Sequence, residues 1–287
     1  MKILITGSNG QLGSEIKKIS SEFNRFQFDF HDIDTLDILD ETQLEKYFNQ
    51  NKPAVVINCA AYTAVDKAEE DKKGALNGNC ILVKNLTNEC EKNNSLLIHI
   101  STDYVFDGKN YRPYIEEDPI HPQSEYGRTK LLGEKEALRY KNSIIIRTSW
   151  LYSAFGNNFV KTMMRLGKEK DSLNVIFDQV GSPTNAADLA LVILQIADKT
   201  MKDQEHFKPG IYHYANEGVC SWYDFAKVIM EISGLDCKIH PIESHKYPLP
   251  AKRPHYSVLN KKKIKSTYNI EIPYWKDSLI KCIKLLS

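Results

Sequence analysis

Lys2-Ile3-Leu4-Ile5-Thr6-Gly7-Ser8-Asn9-Gly10-Gln11-Leu12-Gly13 decides how this chain is read. A short apolar strand over 2–6 runs into three glycines, and a segment of helical period follows them. Glycines in that place permit a tight turn and close approach of the backbone to a pyrophosphate, and the helix N-terminus beyond them faces the anion. The spacing, G-x-x-G-x-x-G, is one residue longer than the common dinucleotide fingerprint, so an independent marker is needed. Asp32 supplies it: it stands 19 residues after Gly13, at the end of the next expected strand, where a carboxylate accepts hydrogen bonds from an adenosine ribose. No arginine follows to hold a 2′-phosphate, so NADH and NADPH are both expected. Asp37 and Ile38 are placed near the adenine, and the small residues of Ala60-Ala61-Tyr62-Thr63 leave room for the cofactor after the third strand.

Outward from this turn the pattern repeats. Strands are expected over 2–6, 26–31, 54–58, 95–101 and 143–148, with helices over 11–22, 41–50, 74–93 and 124–140 between them. Such alternation predicts right-handed βαβ units and a doubly wound parallel α/β sheet of Rossmann type. After Arg147 the regularity loosens, with helices expected over 157–169, 183–198, 222–233 and 274–286 and prolines at 241, 248, 250 and 254. The expected organisation is a dinucleotide-binding domain over 1–150. Residues 151–287 then form mainly a smaller C-terminal substrate lobe, some of whose segments return to pack on the first domain. The lysine run at 261–265 is read as a solvated helix face.

The 287 residues, 42% hydrophobic and 26% charged, suit a compact enzyme-sized fold. With 38 Lys and Arg against 37 Asp and Glu, no global field draws the chain to nucleic acid or to an anionic membrane. Met1-Lys2 leads straight into the first strand with no leader or apolar span, which points to the cytoplasm. The six cysteines have no metal-ligand spacing and are read as reduced thiols, and no metal is expected.

Tyr126-Gly127-Arg128-Thr129-Lys130 puts a phenol and an ammonium four residues apart on one helix face. A phenol exchanges protons poorly near neutrality, and a neighbouring cation is expected to lower its pKa. Lys130 can also hydrogen-bond a nicotinamide ribose, and Thr102, at the end of the fourth strand, is chosen to hold a substrate oxygen. The glycine turn, Asp32, Ser101-Thr102 and Tyr126 with Lys130 follow one another in the order and spacing of short-chain dehydrogenases/reductases. Tyr126 is therefore read as the proton donor of a carbonyl reductase.

Within that group the chain resembles the dTDP-4-dehydrorhamnose reductase family over nearly its whole length. The resemblance is carried by Gly7 to Gly13, Asn58 to Glu69 and Ser101 to Gly108. It continues through Arg147-Thr148-Ser149-Trp150-Leu151-Tyr152, Gly156 to Phe159, Asp178 to Thr184 and Pro250-Ala251-Lys252-Arg253-Pro254. It implies reduction of the C4 carbonyl of dTDP-4-dehydro-β-L-rhamnose, with Tyr126 protonating the alkoxide. It carries over Thr102 and Asp103 as substrate contacts, Trp150 as a wall for the sugar, and Gly10, Gln11, Leu12, Asp37, Ile38, Ala61, Tyr62, Thr63 and Lys130 as cofactor contacts. Arg253, whose planar fork suits two phosphate oxygens, is read as the diphosphate ligand. The implied product would feed a cell-surface polysaccharide such as the O-antigen of lipopolysaccharide. Cys59 and Tyr62 depart from the family pattern, where alanine and histidine are usual. Some members form a magnesium-bridged dimer; Glu15 is a candidate ligand without a clear partner, so a homodimer is left open. Two other readings stand beside this one: a reductase of another nucleotide-linked 4-keto-hexose, and a non-catalytic dinucleotide-binding regulatory subunit.

Overall fold

The computed structural model describes residues 1–203 and 206–286. Among them a six-stranded sheet is formed by β1 (Lys2–Thr6), β2 (Gln27–His31), β3 (Val55–Asn58), β4 (Leu96–Thr102), β5 (Ser143–Thr148) and, much later in the chain, β10 (Gly210–His213). Every neighbouring pair is parallel and the order is β10-β5-β4-β3-β1-β2. The order reverses at β1, so β2 and β3 leave β1 on opposite sides. The carboxyl end of β1 is thus the crevice where open α/β sheets take ligands, and Gly7 lies there.

Alternation along the strands explains the two packed faces. Ile3 and Ile5 of β1, with Ile57, Ile98, Ile144 and Ile146, point into a core shared with α1 (Gln11–Ile19) and α7 (Ala186–Lys202). Leu4, Val56, Leu97 and Ile145 point the other way, onto α2 (Glu41–Asn51), α4 (Leu82–Asn93) and α5 (Glu125–Leu138). Segments from beyond residue 150 therefore complete the sheet and one of its layers: β10 pairs with β5 in register, Gly210 opposite Ile144, and α7 buries Leu189, Ile193 and Ile196 beneath the strands.

A second core lies apart from the sheet. It joins α6 (Phe159–Glu169), α8 (Trp222–Ser233) and α10 (Trp275–Lys284), with Met163, Phe225, Ile229 and Leu279 at its centre. A parallel pair of β7 (Ser172–Ile176) and β12 (Lys238–Ile242) contributes Val175 and Ile239 to it. Two-residue strands β6 (Leu151–Tyr152), β8 (Val180–Gly181), β9 (Thr184–Asn185) and β11 (Cys220–Ser221) tie the connections. Helix α9 (Lys262–Tyr268) carries Lys262, Lys263 and Lys265, whereas Lys261, just before it, departs from the expected solvated face and is buried in an ion pair with Glu217 at 3.3 Å. Ser221 caps α8 with a reciprocal Ser221/Asp224 capping box, which is why that helix begins where its apolar period does.

The helix expected over 74–93 is interrupted. A short α3 (Lys72–Leu76) passes through a π-helical turn, Asn77–Ile81, into α4. Such turns recur at functional sites, and this one aims Asn79 at the loop after β3: its Oδ1 accepts from Tyr62 N at 2.9 Å and its Nδ2 donates to Tyr62 O at 3.1 Å.

Candidate active site

A cavity of about 1020 Å³ opens along the carboxyl ends of β1, β3, β4 and β5 and extends under α8. Its cradle is the glycine turn. Gly7 has φ +64°, and a Cβ there would lie 2.6 Å from Ala60 N; one on Gly13 would lie 2.4 Å from Gly7 O. The turn can close only without side chains, which leaves backbone free to meet a large anionic group at the start of α1. Asp32 Oδ2 accepts from Asn9 N at 3.0 Å, so the carboxylate is tied to the same turn. These features fit a dinucleotide, and the residues that could hold it, Gly7, Gly10, Gln11, Leu12, Asp32, Asp37, Ile38, Ala61, Tyr62 and Thr63, all line the cavity.

Thr102, Asp103, Tyr126, Lys130 and Trp150 line it too. Helix α5 is set by Ser124, whose side chain accepts from Gly127 N, and this places Tyr126 in the first turn. Gly127 has no room for more, since a Cβ would stand 2.3 Å from Tyr104 O. The Tyr104 ring meets Tyr126 edge-on, with centroids 5.5 Å apart. One turn later Lys130, 2% exposed, donates from Nζ to Ile100 O at 2.6 Å.

The electrostatics differ from the expectation. Burial pushes Tyr126 up to about 12, opposed by a hydrogen bond with Thr102 and reinforced by Asp103; Lys130 is not among the causes. Desolvation of the phenolate is the largest cause here. Lys130 is itself driven down to about 8 by burial, against the pull of Glu134 and Cys59. Asp103 is raised to about 7 by burial, with the Thr102 hydroxyl at 3.0 Å as its main hydrogen-bonding counterweight. At neutral pH the site thus holds a protonated phenol, a cation one turn away and a hydroxyl beside them. That set can bind a carbonyl oxygen and deliver a proton to it as it becomes an alkoxide.

Two expected residues stand off the cavity. Gly13 serves the turn from within, against Gly7 O. Arg253 forms an ion pair with Asp66 at 2.6 Å and lies over the Tyr104 ring, 6.0 Å from its centroid, with its Nη1 buried and unpaired. Glu15 is 2% exposed and accepts from Ser153 Oγ at 2.6 Å. Among the described residues no group of three or more His, Cys, Asp or Glu is placed to hold a metal ion.

Sequence reasoning missed Trp222, which lines the cavity from the first position of α8 and stacks on Trp150 with centroids 3.5 Å apart and planes within 8°. It also missed Asn158, whose Nδ2 donates to Gln11 Oε1 at 2.9 Å and joins α6 to the glycine turn. The only available signal for Trp222 was a bulky aromatic directly after a capping serine.

The chain matches the family described as RmlD substrate binding domain over residues 1–287. It is 40% identical over 285 residues to the dTDP-4-dehydrorhamnose reductase of Aggregatibacter actinomycetemcomitans, covering 97% of each chain. Among solved structures it is similar to a dTDP-4-dehydrorhamnose reductase from Clostridium acetobutylicum, with a TM-score of 0.94 and 46% identity over 100% of this chain and 99% of the other. The Bacillus anthracis dTDP-4-dehydrorhamnose reductase, solved in complex with NADP, gives a TM-score of 0.93 at 34% identity, covering 99% and 98%.

Proposed function

The chain belongs to the family described as the RmlD substrate binding domain, and we propose from this that it reduces the C4 keto group of dTDP-4-dehydro-β-L-rhamnose to give dTDP-L-rhamnose with NADPH or NADH. The observation that carries the reading is the convergence of Thr102, Tyr126 and Lys130 on the cavity that begins at the glycine turn. When bound, the reduced nicotinamide supplies the hydride.

The chain's own residues do the rest. Thr102 Oγ1 and Tyr126 Oη hold the carbonyl oxygen, and the pKa of about 12 at Tyr126 keeps its proton in place until the oxygen becomes a stronger base. Lys130, fixed on Ile100 O, presents a cation to the ribose side of the cavity. Trp150 walls the sugar, and Asp103, about half protonated at neutral pH with its pKa of about 7, offers a hydroxyl donor to it in its acid form. Arg253, with an unpaired Nη1 beside Tyr104, is assigned to the diphosphate. The division at residue 150 is retained as a proposal: residues 1–150 hold the cofactor and 151–287 mainly the sugar. No helix among the described residues is long and apolar enough to cross a membrane. We place the reaction in the cytoplasm because nucleotide sugars and reduced dinucleotides are both made there, and its product in a surface polysaccharide.

The test is oxidation of NADPH and of NADH with dTDP-4-dehydro-L-rhamnose, beside a panel of other nucleotide-linked 4-keto-hexoses. Preferred turnover of the first sugar is expected. Preferred turnover of another sugar overturns the substrate assignment. Tight dinucleotide binding with no turnover of any sugar overturns the enzymatic reading.

A further inference from the structure

Glu134 lies one helical turn beyond Lys130 on α5, is 1% exposed, and takes no part in the chemistry just described. Its carboxylate is shared between two strands. Oε1 accepts from Ser101 Oγ of β4 at 2.6 Å and from Arg147 Nε of β5 at 2.8 Å, while Oε2 accepts from Arg147 Nη2 at 2.7 Å. Ser101 and Arg147 are register partners across the β4–β5 ladder, and the next pair in that ladder is Thr102 with Thr148. Both threonines line the cavity. Lys130 grips the residue before, Ile100, through its carbonyl. Two successive turns of the helix are therefore bonded to two successive residues of β4, immediately before Thr102.

We infer that Glu134 is a positioning residue, which through Ser101 and Arg147 sets the register of the Tyr126 and Lys130 helix against the strand that carries Thr102. A helix packed by apolar contacts alone can slide by a fraction of an ångström at little cost, whereas a bidentate buried ion pair fixes both distance and rotation. Arg147 is wholly buried, and its Nη1 also approaches Glu116 O at 3.4 Å and His213 Nε2 at 3.5 Å. It thus links the same point to β10.

The charge of Glu134 has a second effect. The titratable and charged groups around Lys130 are Tyr126 and Glu134 on its own helix, Cys59 after β3, His99 on β4 and Arg147 on β5. Glu134 is the nearby carboxylate that favours the cation, so its neutralisation leaves Arg147 unpaired and lowers the pH at which Lys130 loses its proton.

This inference rests on the reading of Tyr126 and Lys130 as the reaction centre, and its test includes a readout independent of turnover. NADPH affinity is titrated against pH by protein fluorescence, and steady-state rates are measured, for the wild-type chain, Glu134→Gln and Ser101→Ala. In Glu134→Gln the alkaline midpoint of NADPH binding should fall by about one pH unit, and kcat should fall about tenfold or more with a much smaller change in KM. Ser101→Ala keeps the buried ion pair, so it should fold; its kcat should fall several-fold with the midpoint unmoved. Should Glu134→Gln fail to fold, Ser101→Ala decides. A folded Glu134→Gln with the wild-type midpoint, or a Ser101→Ala rate within about twofold of wild type, overturns the inference. A wild-type chain that binds NADPH but turns over no sugar overturns the reaction reading, and the midpoint shift then decides on Glu134 alone.

Discussion

Trp150 holds a backbone φ of +49°, a conformation that a bulky side chain adopts only when its surroundings force it. The forcing contacts are visible: Trp222 stacks on one face, and Gly181 leaves space for the edge, since a Cβ there would lie 2.6 Å from Trp150 Cε2. Gly181→Ala should displace the indole and raise KM for the sugar about tenfold while leaving the affinity for NADPH unchanged, as steady-state kinetics and a binding titration would show. Lys130 gives a second prediction at this scale. Its pKa of about 8 means that the cation is lost as pH rises through that value. The turnover rate should therefore have an alkaline limb with a midpoint near 8, and a rate that stays flat to pH 10 contradicts the role given to it. That Tyr126 and Lys130 lie together on one helix was legible in the sequence, because a four-residue spacing fixes a shared helix face whatever the surroundings. The pKa of Tyr126 was not legible, because burial, its largest cause, belongs to the folded chain.

Helix α5 owes its position to small residues as well as to its ion pair. Gly133 faces the π-helical turn, and a Cβ there would stand 2.1 Å from Asn79 O, a backbone atom that cannot step aside. Gly133→Ala should push α5 away from that turn and lower stability by about 1–3 kcal/mol, read as a lower urea midpoint with an unchanged slope. Turnover should fall with it, since Asn79 also donates to Thr129 Oγ1 on α5 and holds Tyr62 at the cavity. The five leading strands were legible to within a residue at either end, because their apolar runs are bounded by glycine, proline and polar turns. The π-helical turn was not, since one inserted residue shifts the phase of the helical period only once within an otherwise continuous helical run. Strand β10 also escaped: Gly-Ile-Tyr-His is four residues long, and what makes it a strand is the open edge of β5. The parallel β7–β12 pair needs partners 66 residues apart, as Ser172 and Lys238 are, which local patterning does not reveal.

At the scale of the whole molecule, the stability of the fold should depend on pH through groups sealed beneath the cavity. His99 and His213 are wholly buried; burial holds His99 far below its ordinary value and His213 at about 3. The unfolded chain takes up these protons below about pH 6.5 and the folded chain does not. Stability is thus complete above that pH and falls as the pH drops toward 3. Asp103 works in the other direction: its folded pKa of about 7 lies above its unfolded value, so its penalty is complete above pH 7 and is relieved on acidification. Burial raises Glu116 as well, but Asp107, Asp118, Glu125, Asp178 and Glu217 lie below their ordinary values in the fold and lose that stabilisation on acidification together with the histidines. The melting temperature should therefore fall between pH 6.5 and 4, and Asp103→Asn should steepen that fall. A flat profile contradicts the account of the buried histidines. The parallel sheet was legible from the alternation of strands and helices, whereas the second core beside it is built from the stretch where that alternation loosens. The return of α7 and β10 to the sheet depends on which apolar faces remain uncovered, and that is decided in three dimensions. The central claim, that Tyr126 gives the proton that completes reduction of a keto-sugar, is tested most directly by comparing the wild-type chain with Tyr126→Phe, following both NADPH oxidation with dTDP-4-dehydro-L-rhamnose and NADPH binding. The account predicts that the variant binds NADPH as the wild type does and loses turnover by about 10²-fold or more; a variant that turns the sugar over at the wild-type rate would contradict it.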